Sequence, residues 1–361
     1  MWNAEEPFNE LPPLPPSESL ETTAVLKAAI GARSALSALN QAIKTIPNPD
    51  VLIGTIPLLE AQASSEVENI VTTTDELFRL ASDVDGLPSA GALETFRYRQ
   101  ALYAGAIMVR ARPLSASTAM RVCSEIRGTE VGVRAAAGTH IANPSTGQVI
   151  YTPPVGSAVI WEKLKVWEDF IHDRPGLDPL ITMAAAHYQF EAIHPFTDGN
   201  GRTGRVLNVL MLLEFGLLQE PVLYLSRYIN ENKAEYYRRL RAVTEREGWE
   251  EWILYMLRAV EDTSKYTLEM IGAIQDAREG FLEAMRESSS GANADLLNLL
   301  FEHPYTRVKA VIDACSVSRP TAAKWLRELV AAGLLTEQKS GRENLFLNKK
   351  LARALEDPKA S

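Results

Sequence analysis

The chain has 361 residues with 46% hydrophobic and 23% charged content, which is typical of a folded globular protein of two to three domains. Its net charge of −9 argues against the class of proteins that bind nucleic acid over their whole surface. Two distant cysteines, Cys123 and Cys315, form neither a disulfide framework nor a zinc-ligand pattern. They indicate a reducing compartment, so we expect a cytoplasmic protein.

The N-terminal part combines a proline-rich arm, Leu11–Pro16, with a helix expected over about residues 21–45. The first residues are acidic and have no apolar core, so no signal peptide is expected. The longest apolar run, Val206–Leu218, contains Glu214 and is too short to span a bilayer. We therefore predict a buried helix there and no membrane partner.

The next segment, residues 64–69, has the pattern of a helix start. Ser65 and Glu68 satisfy the S-x-x-E spacing of a capping box. From the residues alone, this pattern predicts a helix that begins near Ser65. Apolar residues at helical spacing then predict further helices over residues 75–130.

The spacing of apolar residues along the sequence is no longer helical after residue 132. Apolar residues on both sides of Asn143–Gly147 predict a β-hairpin, because proline, asparagine and glycine favour a turn between two strands. Helical periodicity returns from residue 156, so the hairpin is expected to be a small insertion in a mainly α protein.

The most informative stretch is a polar loop between two predicted helices. Gly199, Asn200 and Gly201 can take backbone conformations that bring successive N–H groups onto one anion. The apolar run that follows predicts a helix, whose N-terminus favours phosphate. Arg202 and Arg205 lie three residues apart on its first turn, so both can reach the same phosphate.

Two further side chains of this loop suggest chemistry. Asp198 suits Mg²⁺, which favours a carboxylate together with phosphate oxygens. His194 is a candidate general base, because its ordinary pKa of about 6.5 suits neutral pH. The loop therefore predicts a site that binds the phosphates of a nucleotide and directs a base at them.

Two other interpretations of the loop are less favoured. Gly199, Gly201 and Gly204 spell the G-x-G-x-x-G dinucleotide fingerprint, which should follow a strand. The preceding residues, 180–193, have helical spacing instead, which disfavours a Rossmann site. A plain glycine-rich turn explains the glycines but not the histidine, the aspartate and the arginines beside them.

Residues 194–205, HPFTDGNGRTGR, resemble the signature of the Fic family, His-Pro-Phe-x-Asp/Glu-Gly-Asn-Gly-Arg-x-x-Arg, at every fixed position. The resemblance implies a mainly α Fic-fold core that moves AMP from ATP to a protein hydroxyl and releases pyrophosphate. It implies that His194 deprotonates the hydroxyl and that Asp198 binds Mg²⁺. It assigns the phosphates to the glycine loop and to Arg202 and Arg205.

The same resemblance gives residues 64–69 a second interpretation. Many members of the family carry Ser/Thr-x-x-x-Glu-Gly/Asn on an inhibitory helix, and Ser64, Glu68 and Asn69 match it. In those members the glutamate pairs with the second arginine of the signature, here Arg205. Its carboxylate would occupy the donors that the γ-phosphate needs and would repel that phosphate. The capping and inhibitory roles do not exclude each other.

Two binding surfaces also follow from the resemblance. The hairpin, taken as residues 138–151, is similar to the flap that holds a target peptide by strand addition. Tyr237, the second tyrosine of a Tyr-Tyr pair, is the candidate adenine contact. Thr244 stands where some relatives have an asparagine that bonds the adenine.

The last part of the chain has a different character. Residues 288–292 read as a flexible linker, and the basic residues 301–361 resemble a winged helix with recognition helix 319–332 and wing 335–347. We divide the chain into an N-terminal regulatory segment (1–100) with an inhibitory helix near 64–80, a catalytic domain (101–287), the linker and a winged-helix domain (293–361). DNA, a protein surface and a second copy of the chain all stay open as partners of the last domain.

The sequence therefore predicts a protein adenylyltransferase with ATP as substrate, Mg²⁺ as cofactor and Glu68 as a restraint. Its target is a Ser, Thr or Tyr hydroxyl of a protein, with self-modification included. The alternatives are a nucleotide-sensing DNA-binding regulator and a Fic protein that removes AMP or transfers another group.

Overall fold

A computed structural model describes residues 2–46, 50–82, 88–142, 146–173, 176–287, 293–340 and 343–358. The predicted linker, the turn residues 143–145 and Arg342 of the predicted wing lie outside these ranges. In chain order, the elements are α1 (Thr23–Thr45), α2 (Asp50–Val67), α3 (Thr74–Ala81), α4 (Ala90–Ala111), α5 (Ala116–Arg127), β1 (Ile141–Ala142), β2 (Val149–Tyr151), α6 (Ser157–Asp173), α7 (Pro179–Ile193), α8 (Asn200–Glu214), α9 (Leu225–Glu231), α10 (Lys233–Arg246), α11 (Trp249–Glu287), α12 (Ala294–Glu302), β3 (Tyr305–Arg307), α13 (Val308–Cys315), α14 (Arg319–Ala331), β4 (Thr336–Ser340), β5 (Glu343–Leu347) and α15 (Lys349–Glu356).

Helix α7 is the centre of the helical core. Asp178 caps its N-terminus, because the Asp178 side chain accepts a hydrogen bond from the Leu180 N–H, and all but two of the residues of α7 are buried. The indoles of Trp167 and Trp252 donate to the carbonyls of Ala186 and Ala184 at 2.9 and 2.7 Å. Helices α6, α8 and α11 pack around α7, which fixes where its C-terminal end lies.

The mainly α fold class predicted from the sequence is confirmed. The small hairpin is also present, because β1 pairs with β2 in antiparallel register, with Ile141 opposite Tyr151 and Ala142 opposite Val149. Its strands are shorter than the apolar pattern suggests. None of the helices in the described ranges is long and apolar enough to cross a membrane.

The predicted helix start at residues 64–69 is wrong. Ser64 and Ser65 lie in the last turn of α2, which began at Asp50, and Glu68 and Asn69 form the turn that follows. Asn69 has a left-handed backbone (φ 61°), and the N–H groups of Glu68 and Ile70 both donate to the Ser65 carbonyl. The segment therefore ends a helix, and the inhibitory helix expected near 64–80 is divided into the end of α2 and the separate α3.

The C-terminal part has the predicted order of helices followed by a hairpin. Strands β3, β5 and β4 form an antiparallel sheet in the order β3-β5-β4, and α14 begins at Ser318, whose hydroxyl accepts from the Thr321 N–H. The sheet lies against α3, where the guanidinium of Arg79 donates to Gln338 Oε1 at 2.7 Å. The winged-helix assignment and its binding role stay predictions.

Two leucines of α1 differ in burial, so their replacement by alanine should lower the free energy of unfolding by different amounts. Leu39 is fully buried, whereas Leu26 on the same helix is 42% exposed. We expect Leu39→Ala to lower the free energy of unfolding by about 2–5 kcal/mol, since it removes buried methyl groups and leaves a cavity. Leu26→Ala is the matched control, with an expected change below about 1 kcal/mol. Chemical denaturation of both variants tests this, and equal losses would contradict the described burial of α1.

Candidate active site

The site is built on the loop that joins α7 to α8. His194 ends α7 in the left-handed conformation (φ 49°), and Gly199 precedes α8 in the same region of backbone space (φ 84°). Asn200 closes the loop from inside, because its side chain accepts from the Phe196 N–H and donates to the Phe196 carbonyl, both at 2.8 Å. The Asn200 side chain therefore stabilises the conformation of the loop. The backbone N–H groups in the first turn of α8 have no partners within the helix, so they are suited to bind an anion.

His194, the candidate base of the sequence analysis, is held in its uncharged form by its surroundings. Burial and the neighbouring Arg134 guanidinium lower the pKa of His194 to about 4. The imidazole is therefore neutral at pH 7 and is able to accept a proton. His187 lies about two turns earlier on α7. It is instead a buried structural residue, and its Nε2 lies 2.8 Å from the Tyr236 hydroxyl.

Arg205 lies buried on the first turns of α8 and is held by the end of α2. Its Nε donates to the Ser64 hydroxyl, and one of its Nη atoms donates to the Ser64 carbonyl and to Glu68 Oε1, each at 2.8 Å. The Glu68 and Arg205 pairing implied by the resemblance is therefore present in the geometry. Asn69 does not touch the guanidinium in the described contacts and instead accepts from the Lys233 ammonium at 3.0 Å.

Glu68 also fills the space in front of the glycine loop. A methyl group placed on Gly201 would collide with Glu68 Oε1, so the carboxylate rests directly on that glycine. Burial opposes ionisation of Glu68, but the charges of Arg205 and Arg202 and the hydrogen bond from Arg205 outweigh it and lower its pKa. Glu68 is thus an anion placed where the loop and the helix N-terminus favour a phosphate.

The other signature arginine has a carboxylate partner that the sequence analysis missed. The Arg202 side chain is only 3% exposed, and its Nη1 donates to Glu94 on α4. No local signal marks Glu94, because its partner is more than a hundred residues away. The structure therefore places both arginines beside the glycine loop, each in contact with an acidic side chain.

Asp198 lies at the exposed rim of the loop, with 56% of its side chain accessible. It pairs with Arg127 of α5, and its Oδ1 accepts from the Gly199 N–H at 2.6 Å. In the part of the chain that the structure describes, no group of three His, Cys, Asp or Glu residues is placed to hold a metal. A single accessible carboxylate does fit Mg²⁺, which takes few protein ligands when phosphates and water supply the rest.

Tyr237 stands at the edge of the same site. Its side chain is 44% exposed, although its ring packs edge-on against buried Tyr236 with centroids 5.2 Å apart. Burial and the nearby Glu68 carboxylate raise the pKa of the Tyr237 hydroxyl. The ring therefore lies within electrostatic reach of Glu68 and Arg205. Thr244 is bonded to Tyr188 instead, with their hydroxyls 3.1 Å apart.

A buried polar network lies next to Ser64, one turn earlier on α2. Glu60, one helical turn earlier on α2, accepts from the Tyr98 hydroxyl at 3.1 Å and from the Ser226 N–H at 2.7 Å. Burial raises the pKa of Glu60 to about 7. The sequence analysis missed this network, although a glutamate inside the otherwise apolar run Ile56–Ala61 was a signal that could have found it.

The pairing of Glu68 with Arg205 predicts a pH-dependent contribution to stability. Because the pKa of Glu68 lies below its ordinary value, the pair stabilises the fold above the pH at which an unfolded glutamate titrates, and this contribution is lost as the pH falls through the lowered pKa. We expect Glu68→Gln to cost about 1 kcal/mol at pH 7, where solvent at this one-third-exposed side chain limits the gain, and less at pH 3.

Denaturation curves at both pH values measure this effect. Glu125→Gln is the matched control, since Glu125 pairs with Arg121 on the surface, and its change should stay below about 0.5 kcal/mol. A loss for Glu68→Gln that is the same at pH 3 and pH 7 would show that its charge does not stabilise the fold.

Comparison with known families gives three matches in succession along the chain. Residues 26–106 match the model described as Fic/DOC family N-terminal, and residues 120–212 match the Fic/DOC family model. Residues 284–351 match the model of the C-terminal domain of the SoFic-like protein adenylyltransferase. The loop and Glu68 thus each lie inside a matched segment.

Curated relatives match over shorter stretches. The chain is 41% identical over 86 residues to protein adenylyltransferase fic-1 of Caenorhabditis elegans, and 29% identical over 117 residues to protein adenylyltransferase Fic of Drosophila virilis. These matches cover 23% and 32% of this chain but only 16% and 22% of the two relatives. The chain therefore aligns with a minor part of each relative's length.

Solved structures share the fold at low sequence identity. A Fic family protein from Desulfovibrio desulfuricans superposes with a TM-score of 0.56 at 17% identity, over 91% of this chain and 96% of that one. Fic-1 of C. elegans, in a form with one substituted residue, superposes with a TM-score of 0.53 at 19% identity, over 67% and 73%. These likenesses show the fold alone. The three matched segments, together with the signature in the loop between α7 and α8, place the chain in the Fic/DOC family.

Proposed function

We propose that this protein is an adenylyltransferase that moves AMP from ATP to a hydroxyl group of a protein. The observation that carries the proposal is the geometry of the loop, in which a neutral His194 stands beside a helix N-terminus and two arginines. Phosphates fit this arrangement, since free N–H groups and guanidinium groups are their preferred donors. The names of the matched relatives support the same reaction class.

The reaction follows from the positions of these groups. The oxygen of the target hydroxyl attacks the α-phosphorus of ATP, the bond from that phosphorus to the bridging oxygen breaks, and pyrophosphate leaves. His194 takes the hydroxyl proton, because its imidazole is neutral at pH 7 and has a ring nitrogen that can accept it. The N–H groups of Asn200 and Gly201 stabilise the charge that develops on the α-phosphate, and such donors are each worth roughly 10²–10³ in rate. The Gly199 N–H, which the sequence analysis also assigned to phosphate, donates to Asp198 instead.

The arginines and the metal complete the phosphate site in this proposal. Arg202 and Arg205 hold the β- and γ-phosphates, and Asp198 would hold Mg²⁺, which would neutralise phosphate charge. Because Glu68 already occupies the donors of Arg205 and rests on Gly201, it competes with the γ-phosphate for the same place. We therefore assign Glu68, held by the end of α2, as the restraint on transfer.

The target protein is proposed to bind along the hairpin of β1 and β2. A two-stranded hairpin leaves N–H and C=O groups on its outer edges, which can pair with an extended segment of the target. The Tyr151 hydroxyl donates to the Ala192 carbonyl at 2.7 Å, so the hairpin is tied to the end of α7. A hydroxyl on the bound segment would then lie near His194.

DNA binding and dimerisation through the C-terminal domain stay predictions without support from the relatives. On α14, Arg327 donates to the carbonyl of Ala323, and Lys324 lies 3.8 Å from Glu328. These cations therefore already have partners on their own helix.

Transfer itself is tested with α-labelled ATP and Mg²⁺. We expect Glu68→Gly to raise the rate of labelling at least about tenfold, since it frees Arg205 for the γ-phosphate, and Glu68→Gly with His194→Ala to abolish it. His172→Ala is the control histidine, because His172 bonds the Leu114 carbonyl far from the loop in sequence. Self-labelling on a denaturing gel and labelling of a cell lysate are the measurements. Labelling that persists without His194 would refute its role as the base.

The adenine contact is tested separately from transfer. The Glu68→Gly, His194→Ala double variant is expected to bind ATP without turnover. In that background, Tyr237→Ala should weaken ATP binding by about 1–3 kcal/mol, because a base stacked on an aromatic ring contributes that much. Tyr237→Phe keeps the ring and should bind like the parent. Titration calorimetry measures both affinities, and equal binding by the alanine and phenylalanine variants would remove Tyr237 from the site.

A further inference from the structure

Arg134 is a buried arginine that none of the roles above uses. It lies in the extended segment between α5 and β1, and only 3% of it is exposed. Its backbone N–H donates to the Pro195 carbonyl at 2.9 Å, directly after His194. Its guanidinium therefore enters the molecule beside the candidate base.

The guanidinium joins two segments that are distant in sequence. Nε donates to the carbonyl of His194 at 2.8 Å, and Nη2 donates to the carbonyls of Ile193 at 3.3 Å and Pro154 at 2.6 Å. The first two carbonyls end α7, and the third follows strand β2 of the hairpin. One rigid, planar group thus holds the end of the helix that carries the base and the end of the hairpin proposed to bind the target.

The electrostatics of this contact explain why a buried cation is tolerated. The last carbonyls of a helix lack partners within the helix and carry the negative end of its dipole, so a cation beside them is stabilised. Each described side-chain hydrogen bond of Arg134 ends on a backbone carbonyl, and these charge-assisted bonds offset part of the cost of desolvation. They also hold His194 in its left-handed conformation, which costs free energy in any residue with a Cβ.

We propose that Arg134 is a positioning residue for AMP transfer, which fixes the backbone of His194 and the end of the β1–β2 hairpin as one unit. This inference rests on the proposed function. A base and a target hydroxyl must meet within hydrogen-bond distance, and a displacement of about 1 Å can cost roughly 10²-fold in rate. Arg134 contacts the segments that carry both groups, although it touches neither phosphate-binding arginine in the described hydrogen bonds.

Arg134 acts on His194 in a second way, through its charge. After burial, the Arg134 guanidinium is the main cause that keeps the pKa of His194 low, while the Glu68 and Asp198 carboxylates act in the opposite direction. Removal of the positive charge should therefore raise that pKa. A base with a higher pKa is already protonated, and so inactive, at a higher pH. The acidic limb of the pH–rate profile should therefore shift to higher pH.

The experiment separates position from charge in the full-length Glu68→Gly protein. Arg134→Lys keeps the charge but loses the planar fork, Arg134→Met loses both, and Arg112→Met replaces an exposed arginine as the matched control. Three quantities are measured for each variant, namely the rate of label transfer against pH, the affinity for ATP and the NMR titration of the His194 ring between pH 5 and 7.5. The chain has five histidines, and His194→Ala identifies the relevant signal.

We expect both Arg134 variants to lower the transfer rate at least about tenfold with little change in ATP affinity. Arg134→Met should also make His194 titrate within the measured pH range and should shift the acidic limb of the pH–rate profile to higher pH. Arg134→Lys should leave the His194 titration and the acidic limb unchanged. Parental transfer rates in folded Arg134→Lys and Arg134→Met would overturn the proposal. If Arg134→Met does not fold, the rate of Arg134→Lys decides alone, with loss in support and a parental rate against.

The NMR titration keeps this test distinct from the proposed function. Absence of transfer in the Glu68→Gly protein with Arg134 intact would count against AMP transfer itself. An unchanged titration of His194 in folded Arg134→Met would instead count against the contact with Arg134, whatever reaction the site performs.

Discussion

The ion pair between Arg205 and Glu68 is the interaction on which the rest of the site depends. Arg205 is buried and lies on the first turns of α8, so its charge adds to the positive end of that helix. Two positive features at one place require an anion, and Glu68 supplies it from the end of α2. In the proposed function, a nucleotide phosphate would satisfy the same requirement, so the carboxylate that stabilises the fold would also oppose substrate binding.

The same principle extends to the groups around this pair. Arg202 is joined to Glu94, and Arg127 is joined to Asp198, so acidic side chains neutralise three arginines around the glycine loop. Anions of the protein itself therefore occupy the proposed phosphate site. A charged ligand that enters has to replace these contacts with ones of equal or greater strength, and a tetrahedral phosphate with several oxygens is suited to do so.

Support for Glu68 comes from both sides of the turn that carries it. Before the turn, Ser64 is backed by the buried contacts of Glu60 with Tyr98 and Ser226. After the turn, α3 is fixed to the C-terminal sheet by the contact of Arg79 with Gln338 and by the Arg79 guanidinium over the ring of Tyr305. The position of one carboxylate thus depends on the packing of elements from the beginning and the end of the chain.

The sequence by itself determined the features that depend on neighbouring residues. The loop HPFTDGNGRTGR and its flanking helices were predicted where the structure has them, because glycine conformations and helical periodicity are local properties. The pairing of Glu68 with Arg205 was predicted only through the family resemblance, since no local pattern joins residues so far apart.

Only the tertiary structure decided which distant residues contact one another. It also decided whether an ambiguous sequence pattern begins a helix or ends one. The spacing of Ser65 and Glu68 fits a helix start, yet the buried face of α2 extends the helix from Asp50 and makes the segment its end. Glu94 and Arg134 carried no signal, because a salt bridge or a buried guanidinium is defined by what packs opposite it. Hydrogen bonds across 60 to more than 100 residues exist only after the helices have packed, so the details of the site follow from the core.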